Sequence, residues 1–238
     1  MNTIEYQRMY RLEDHHWWFV AKRNFVAQML RDVRVPANIL DIGCGTGAME
    51  VLLRAYGSVE GIDVSPKALS YAKKRKLNVK KGSANSLPFH DGRFDLVTFF
   101  DVLYHKGVNE QVALREAFRV LKPGGKIIIT DCAMPFLWSV HDEHMDAKKR
   151  YTLREMEGLV RQAGFTLQKF SYIYASTFLL FCLSRIFVRL FQSESTVNKV
   201  PHIINTILIT ILWTESKALR FVSYPFGSSL LMVAYKPK

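Results

Sequence analysis

The sequence predicts an α/β domain built on a doubly wound parallel sheet, and three observations carry that reading. Apolar strands recur at 38–42, 58–63, 77–82, 94–100 and 126–131, alternating with helical segments, a pattern that calls for a parallel sheet covered on both faces. The first strand runs into the glycine-rich segment LDIGCGTG at 40–47. There Gly43, Gly45 and Gly47 permit tight backbone geometry and leave room for a ligand against the main chain. The amphipathic run AMEVLLRAY comes directly after, with Gly57 placed to stop it.

At 238 residues the chain can bury a sizeable core within one decorated domain. Cys44, Cys132 and Cys182 are scattered, show no metal-ligand spacing and follow no secretory signal. Free thiols in a reducing cytoplasm, without disulfide or metal, are therefore expected. Cys44 lies inside the glycine turn and reads as a small packing residue rather than a nucleophile. The formal charge of +12 points to an anionic partner: nucleic acid, membrane headgroups or an acidic substrate. Its densest cluster, Lys73, Lys74, Arg75, Lys76, Lys80 and Lys81, reads as a solvated face.

In order along the chain, residues 1–35 form a helical cap, with one helix around Tyr6 to Leu12 and a second, after HHWWFVAKR, through Leu30. The core spans 36–174. Ser65 followed by Pro66 is an N-cap with proline at the first helical position, so a helix begins at KALSYAKK. In LKPGGKIIIT, 121–130, a helix is expected to end at Pro123, turn on Gly124 and Gly125 and enter a strand. Thr152 and Glu155 make a capping box for the next helix, which Gly164 stops before a strand at 165–174.

Residues 175–226 interrupt the alternation with two broadly apolar helical segments, and 227–238 return as a closing strand. In the first segment Phe178, Cys182, Ile186 and Leu190 recur beside Leu179, Leu183, Phe187 and Phe191, with Ser184, Arg185 and Arg189 on a narrower polar stripe. In the second, Ile203, Ile207 and Ile211 lie opposite Thr206, Thr210 and Thr214. Neither segment has the roughly 18–20 apolar residues of a bilayer span. Helices lying in the plane of a membrane surface over 177–222, with Arg185 and Arg189 reaching toward headgroups, are one expectation. Packing on the sheet or at a homodimer interface is the other.

The chemistry turns on the segments beyond the glycine turn. Gly43, Gly45 and Ala48 also satisfy a nicotinamide dinucleotide fingerprint, and Asp63, ending GIDVS, suits either cofactor by offering a carboxylate to ribose hydroxyls. GSANSLPF at 82–89, FDLVTFFDVLYH at 94–105 and RVLKPGGKIIIT at 119–130 then separate the two. With the glycine turn they resemble the class I S-adenosylmethionine-dependent methyltransferases over about 36–175 plus the closing strand. That resemblance implies a Rossmann-like seven-stranded sheet whose last strand is antiparallel. It implies S-adenosyl-L-methionine as cofactor, with Asp41, Gly43 and Gly45 around the methionine moiety and ribose and Asp63 on the ribose hydroxyls. Ser83 and Ala84 would flank the adenine, and Phe100 and Asp101 would lie beside the transferring methyl. Trp17, Trp18 and Arg23, then His141 and Asp142, then Lys149, Arg150 and Tyr151, resemble a bacterial and archaeal subgroup with a Trp-Trp element and a His-Asp, basic-basic-Tyr element.

An acceptor hydroxyl needs a base, and histidine, with a pKa near ~6.5, supplies one. His141 is the first candidate and His105 the second, with Asp142 orienting a histidine or accepting a substrate hydroxyl. Trp18 is expected to lid the cofactor, an aromatic face attracting a sulfonium, and Arg23 to pair with the methionine carboxylate. The expected function is methyl transfer to a small-molecule or lipid-linked acceptor, in the cytoplasm and peripherally at the inner face of the membrane. An RNA methyltransferase and a catalytically inactive cofactor-binding module are the alternatives. No RNA-binding module is recognisable, and nucleic acid is the less favoured partner.

Overall fold

The computed structural model describes residues 3–191 and 200–238. Two cap helices, α1 (Thr3–Leu12) and α2 (Trp17–Leu30), precede the sheet. Then come β1 (Ala37–Ile42), α3 (Ala48–Leu53), β2 (Gly57–Asp63), α4 (Pro66–Lys74), β3 (Val79–Lys81), β4 (Phe94–Phe100), α5 (Glu110–Val120) and β5 (Leu121–Cys132). The chain finishes with α6 (Val140–His144), α7 (Leu153–Gln162), β6 (Thr166–Ile173), α8 (Phe178–Phe191), α9 (His202–Ala218) and β7 (Ser229–Tyr235). The seven strands lie in the order β3-β2-β1-β4-β5-β7-β6. β1 to β5 are parallel, and β7 enters antiparallel between β5 and β6. The order reverses between β1 and β4, and a ligand crevice opens outside the strand ends at such a switch point.

Each face of the sheet carries its own apolar layer. Ile42, Val97, Ile127 and Ile129 pack beneath α5 and α7, while Ile39, Leu96, Ile128 and Leu231 pack beneath α2 and α9. The alternation of side chains along a strand produces this division. The N-caps read from the sequence are in place: Ser65 Oγ accepts from Ala68 N at 3.3 Å, and Thr152 and Glu155 close both bonds of their capping box.

Two segments differ from the sequence expectation. The helix after the glycine turn ends at Leu53 and tightens into a 3-10 turn over Arg54–Tyr56. Gly57, at φ +152°, then starts β2 so close to β1 that a Cβ there would lie 2.0 Å from Ala37 O. The helix expected to run to Pro123 stops at Val120, because Leu121 is buried and already pairs with Phe94 as strand.

The apolar insertion leaves and rejoins the sheet at one place, since Ile173, the last residue of β6, faces Ser229, the first of β7. α9 lies on α2 through Leu212 and Leu219, and Asn205 ties it to the cap by accepting from Trp17 N at 2.8 Å and donating to His15 O at 3.0 Å. Glu215, buried, caps the entry to α8 by accepting from Ala175 N at 2.9 Å and Ser176 N at 2.8 Å. Arg185 corrects the expectation of a headgroup-seeking side chain. It is buried, donates to Ser139 Oγ at 2.5 Å and sits 4.6 Å from the Phe181 ring. The side chain of Arg189 lies outside the described residues.

Candidate active site

The turn after β1 folds back on β2, with Gly43 N and Cys44 N both donating to Ile62 O, at 2.8 and 2.9 Å. Gly43 has φ +72° and no room for a Cβ, which would fall 2.5 Å from Val102 Cγ2. At Gly45 a Cβ would meet nothing within 4 Å, so the space above it is open. The Asp63 carboxylate holds this loop by accepting from Gly45 N at 3.0 Å and Ser65 N at 2.8 Å. A carboxylate has about four lone-pair sites, so capacity for two ribose hydroxyls remains on a side chain that lines the cavity. Burial pushes the Asp63 pKa up.

Asp41 and Glu50 stand behind the turn. Asp41 accepts from Thr98 Oγ1 at 2.7 Å, and burial raises its pKa to about 7. Glu50 is fully buried beneath Gly61, where a Cβ would fall 1.8 Å from Oε1, and burial raises its pKa to about 8. Cys44 is buried and its thiol pKa is raised by that burial, consistent with packing rather than nucleophilic duty.

A cavity of about 490 Å³ extends from Gly43, Gly45 and Asp63 to His141, Met145 and Phe181. The cap roofs it with Tyr6, Met9, Trp17 and Trp18. Trp18 stacks on Tyr174 with ring centroids 4.2 Å apart and planes 1° apart, and Tyr174 in turn donates to Trp18 O at 2.7 Å. One helical turn beyond Trp18, buried Lys22 forms an ion pair with Asp101 at the tip of β4. Asp101 sits at φ +57°, and its Oδ1 is buried without a hydrogen-bond partner among the described residues. Asp101 thus lines the cavity with one oxygen in the ion pair and the other buried.

The cap is bolted to the glycine turn. The buried carboxylate of Glu13 accepts from Thr46 Oγ1 and from Arg75 at 2.8 Å, and Arg75 also reaches Asp14 at 3.1 Å. Arg75 is thus drawn out of the basic cluster into a structural ion pair. Arg23 donates to the carbonyls of Glu13, at 2.7 Å, and Asp14, at 3.1 Å, which secures the same corner.

These residues fit a nucleoside carrying an amino-acid tail: a carboxylate at the second strand tip for the ribose, an open glycine floor and an aromatic roof. The family model described as a methyltransferase domain matches residues 40–129. A demethylmenaquinone methyltransferase of Tropheryma whipplei is 36% identical over 129 residues, covering 52% of this chain and 51% of that protein. An uncharacterized methyltransferase of Synechocystis sp. is 34% identical over 153 residues, covering 58% of this chain and 70% of that protein. The chain belongs to the class I S-adenosylmethionine-dependent methyltransferases. Its fold agrees: a methyltransferase of Haloferax volcanii, solved with the Trm112 methyltransferase activator, superposes with a TM-score of 0.66 at 22% identity, over 98% of this chain and 95% of that one. The chain spans about half the length of the demethylmenaquinone methyltransferases it matches.

Within this family member the expected site residues fall into three groups. Gly43, Gly45, Asp63, Phe100, Asp101, Trp18, His105 and His141 all line the cavity. Asp41 and Arg23 lie alongside it, on a small recess behind the glycine turn, with Arg23 occupied by backbone carbonyls. Ser83, Ala84 and Asp142 do not line it. Ser83 Oγ accepts from Asn85 N at 3.2 Å, and Ala84 is packed in the core. Asp142 is buried with one oxygen on Arg150, at 2.8 Å, and the other on Ser139 N, at 2.9 Å. Its carboxylate is spent on structure. His105 is mostly buried, and burial lowers its pKa. Sequence reasoning passed over Lys22 and Glu13. Lys22 had a signal, since it follows Trp18 by four positions and so shares its helix face; Glu13 had none.

Proposed function

We propose that the protein transfers the methyl group of S-adenosyl-L-methionine to an apolar, lipid-like small molecule. The observation that carries this reading is the continuous cavity that joins the glycine floor and Asp63 to a distal wall of Phe181, Met145 and His141. Relatives named demethylmenaquinone methyltransferases support an acceptor of that character.

When bound, the cofactor supplies an electrophilic methyl on a sulfonium. The residues of this chain position and exclude. Asp63 and the turn at Gly43 and Gly45 fix the nucleoside end, and the Trp18 and Tyr6 roof keeps water from the reacting line. Alignment of this kind contributes up to about 7–11 kcal/mol in favourable cases. His141 or His105, both on the cavity wall, accepts a proton where the acceptor is a hydroxyl. The acceptor is met at a membrane surface, on the reducing side where the three thiols stay free.

Incubation with labelled cofactor and a lipid and small-molecule extract tests the reading. The expected result is label in an organic-phase product. Label absent from every extract fraction, or calorimetric binding of a nicotinamide dinucleotide in place of S-adenosyl-L-methionine, overturns it.

A further inference from the structure

α8 has two working faces. Phe181 and Arg185 point into the cavity, while Leu179, Leu180, Leu183 and Ile186 are exposed. Ser184 belongs to both, being exposed and also a cavity-lining residue. The cavity therefore opens along α8, one helical turn from Leu180. α9 carries a second exposed apolar face: Ile203 is 74% exposed, and Ile207 and Ile211 follow on the same side. Clustered apolar side chains left exposed on a monomer mark an interaction surface.

Three features say what covers it. First, basic and aromatic side chains are paired at one end, with Lys217 Nζ 5.0 Å from the exposed Trp213 ring and Arg220 5.5 Å from that of Phe221, itself 82% exposed. Aromatic rings beside cations suit the headgroup level of an anionic bilayer. Second, the described residues of 178–226 carry no exposed acidic side chain, Glu215 being buried. Third, the exposed threonines of α9, which the helix brings to the same side as Ile203, Ile207 and Ile211 rather than opposite them, have their hydroxyls satisfied within the helix: Thr206 donates to His202 O at 2.9 Å, Thr210 to Thr206 O at 3.0 Å and Thr214 to Ile211 O at 2.6 Å. Such hydroxyls lose no donor bond on leaving water. No helix of the described residues is long and apolar enough to cross a membrane, so the contact lies in the plane of the surface.

We infer that the outer faces of α8 and α9 seat the protein on an anionic bilayer, with the cavity mouth at Ser184 opening toward it so that the acceptor enters sideways from the lipid. The lateral route rests on the proposed lipid-like acceptor; the seating does not.

Co-sedimentation of the full chain with phosphatidylcholine vesicles, with and without phosphatidylglycerol, separates the two. Binding to the phosphatidylglycerol vesicles is expected, with Ile203→Glu and Phe221→Glu each weakening it about tenfold or more, and Lys217→Glu with Arg220→Glu weakening it only where the lipid is anionic. Affinity for S-adenosyl-L-methionine in the same variants, expected unchanged, reports that they fold. No vesicle binding by the parent chain, or equal binding by the glutamate variants, overturns the inference. A dimer in light scattering that the same substitutions dissociate also overturns it, by assigning the face to a second copy. Vesicle binding without label transfer to a lipid keeps the seating and removes only the proposed acceptor.

Discussion

The carboxylate of Glu13, in the cap, accepts a hydrogen bond from the hydroxyl of Thr46, inside the glycine turn. With Arg75 on the same carboxylate, cap and glycine turn are joined through one buried side chain. Hydrogen bonds to a charged group are worth about 1.5–3 kcal/mol, and Arg75 keeps Asp14 as a partner when Glu13 is removed. Glu13→Ala is therefore expected to lower stability by about 1.5–3 kcal/mol and to weaken cofactor binding, while Thr46→Val costs about 1 kcal/mol. Denaturant unfolding of the two single variants and the double variant checks the pairing. Strictly additive losses would show that the two side chains act independently.

Asp63 divides its carboxylate between holding the turn and facing the cavity. Asn at this position has one acceptor oxygen and an amide that confronts a backbone N–H. Hydrogen bonds to a charged group are worth about 1.5–3 kcal/mol, so Asp63→Asn is expected to cost more than about tenfold in affinity for S-adenosyl-L-methionine. Calorimetry with circular dichroism as a fold control measures it, and an unchanged affinity would remove Asp63 from the site.

Glu50 gives stability a pH dependence of definite sign. Its pKa is raised by burial from 4.5 to about 8, so between those values the folded state holds a proton that the unfolded state has released. Stability then falls as pH rises from about 4.5 to about 8 and levels off above. Burial of Asp41 adds to the same trend. Glu50→Gln removes its own share of the slope, leaving that of Asp41, and stabilises the alkaline protein. Chemical unfolding across roughly pH 5–9, the window these pKa values set, decides the matter, and parallel curves for the two proteins would refute it.

Asp142 and the two histidines are expected to fail in different ways. Asp142→Ala strands Arg150 in the interior and should cost about 3–5 kcal/mol of stability, with turnover per folded molecule retained. His141→Ala or His105→Ala should leave cofactor affinity intact and lower turnover about 10²–10⁴-fold for whichever ring is the base. Burial keeps the His105 pKa below 6.5, so a His105 base is uncharged at neutral pH and loses activity only on the acid side. Full turnover in both histidine variants would show that the acceptor needs neither.

Much of the core was legible because its signals are local. The N-caps at Ser65 and Thr152 and the glycine turn each depend on a few consecutive residues and lie where sequence placed them, whereas β5 starts at Leu121, five residues before the expected strand. What sequence missed depends on partners far along the chain. Glu13 meets Thr46 across 33 positions, and Lys22 meets Asp101 across 79. Arg185 follows a helical polar stripe, and the stripe alone does not say whether it faces headgroups or Ser139. Asp142 beside His141 suggested joint chemistry, yet successive helix positions point about 100° apart, and only the histidine reaches the cavity.

The pairing of Ile173 with Ser229 has a consequence for how this scaffold can change. Both ends of the α8–α9 excursion are pinned at facing positions of one ladder, and lengthening a tethered excursion costs little free energy. The excursion can thus change length without shifting the register of β6 and β7, provided that any replacement restores what α9 gives the cap, Leu212 against α2 and Asn205 on Trp17 N.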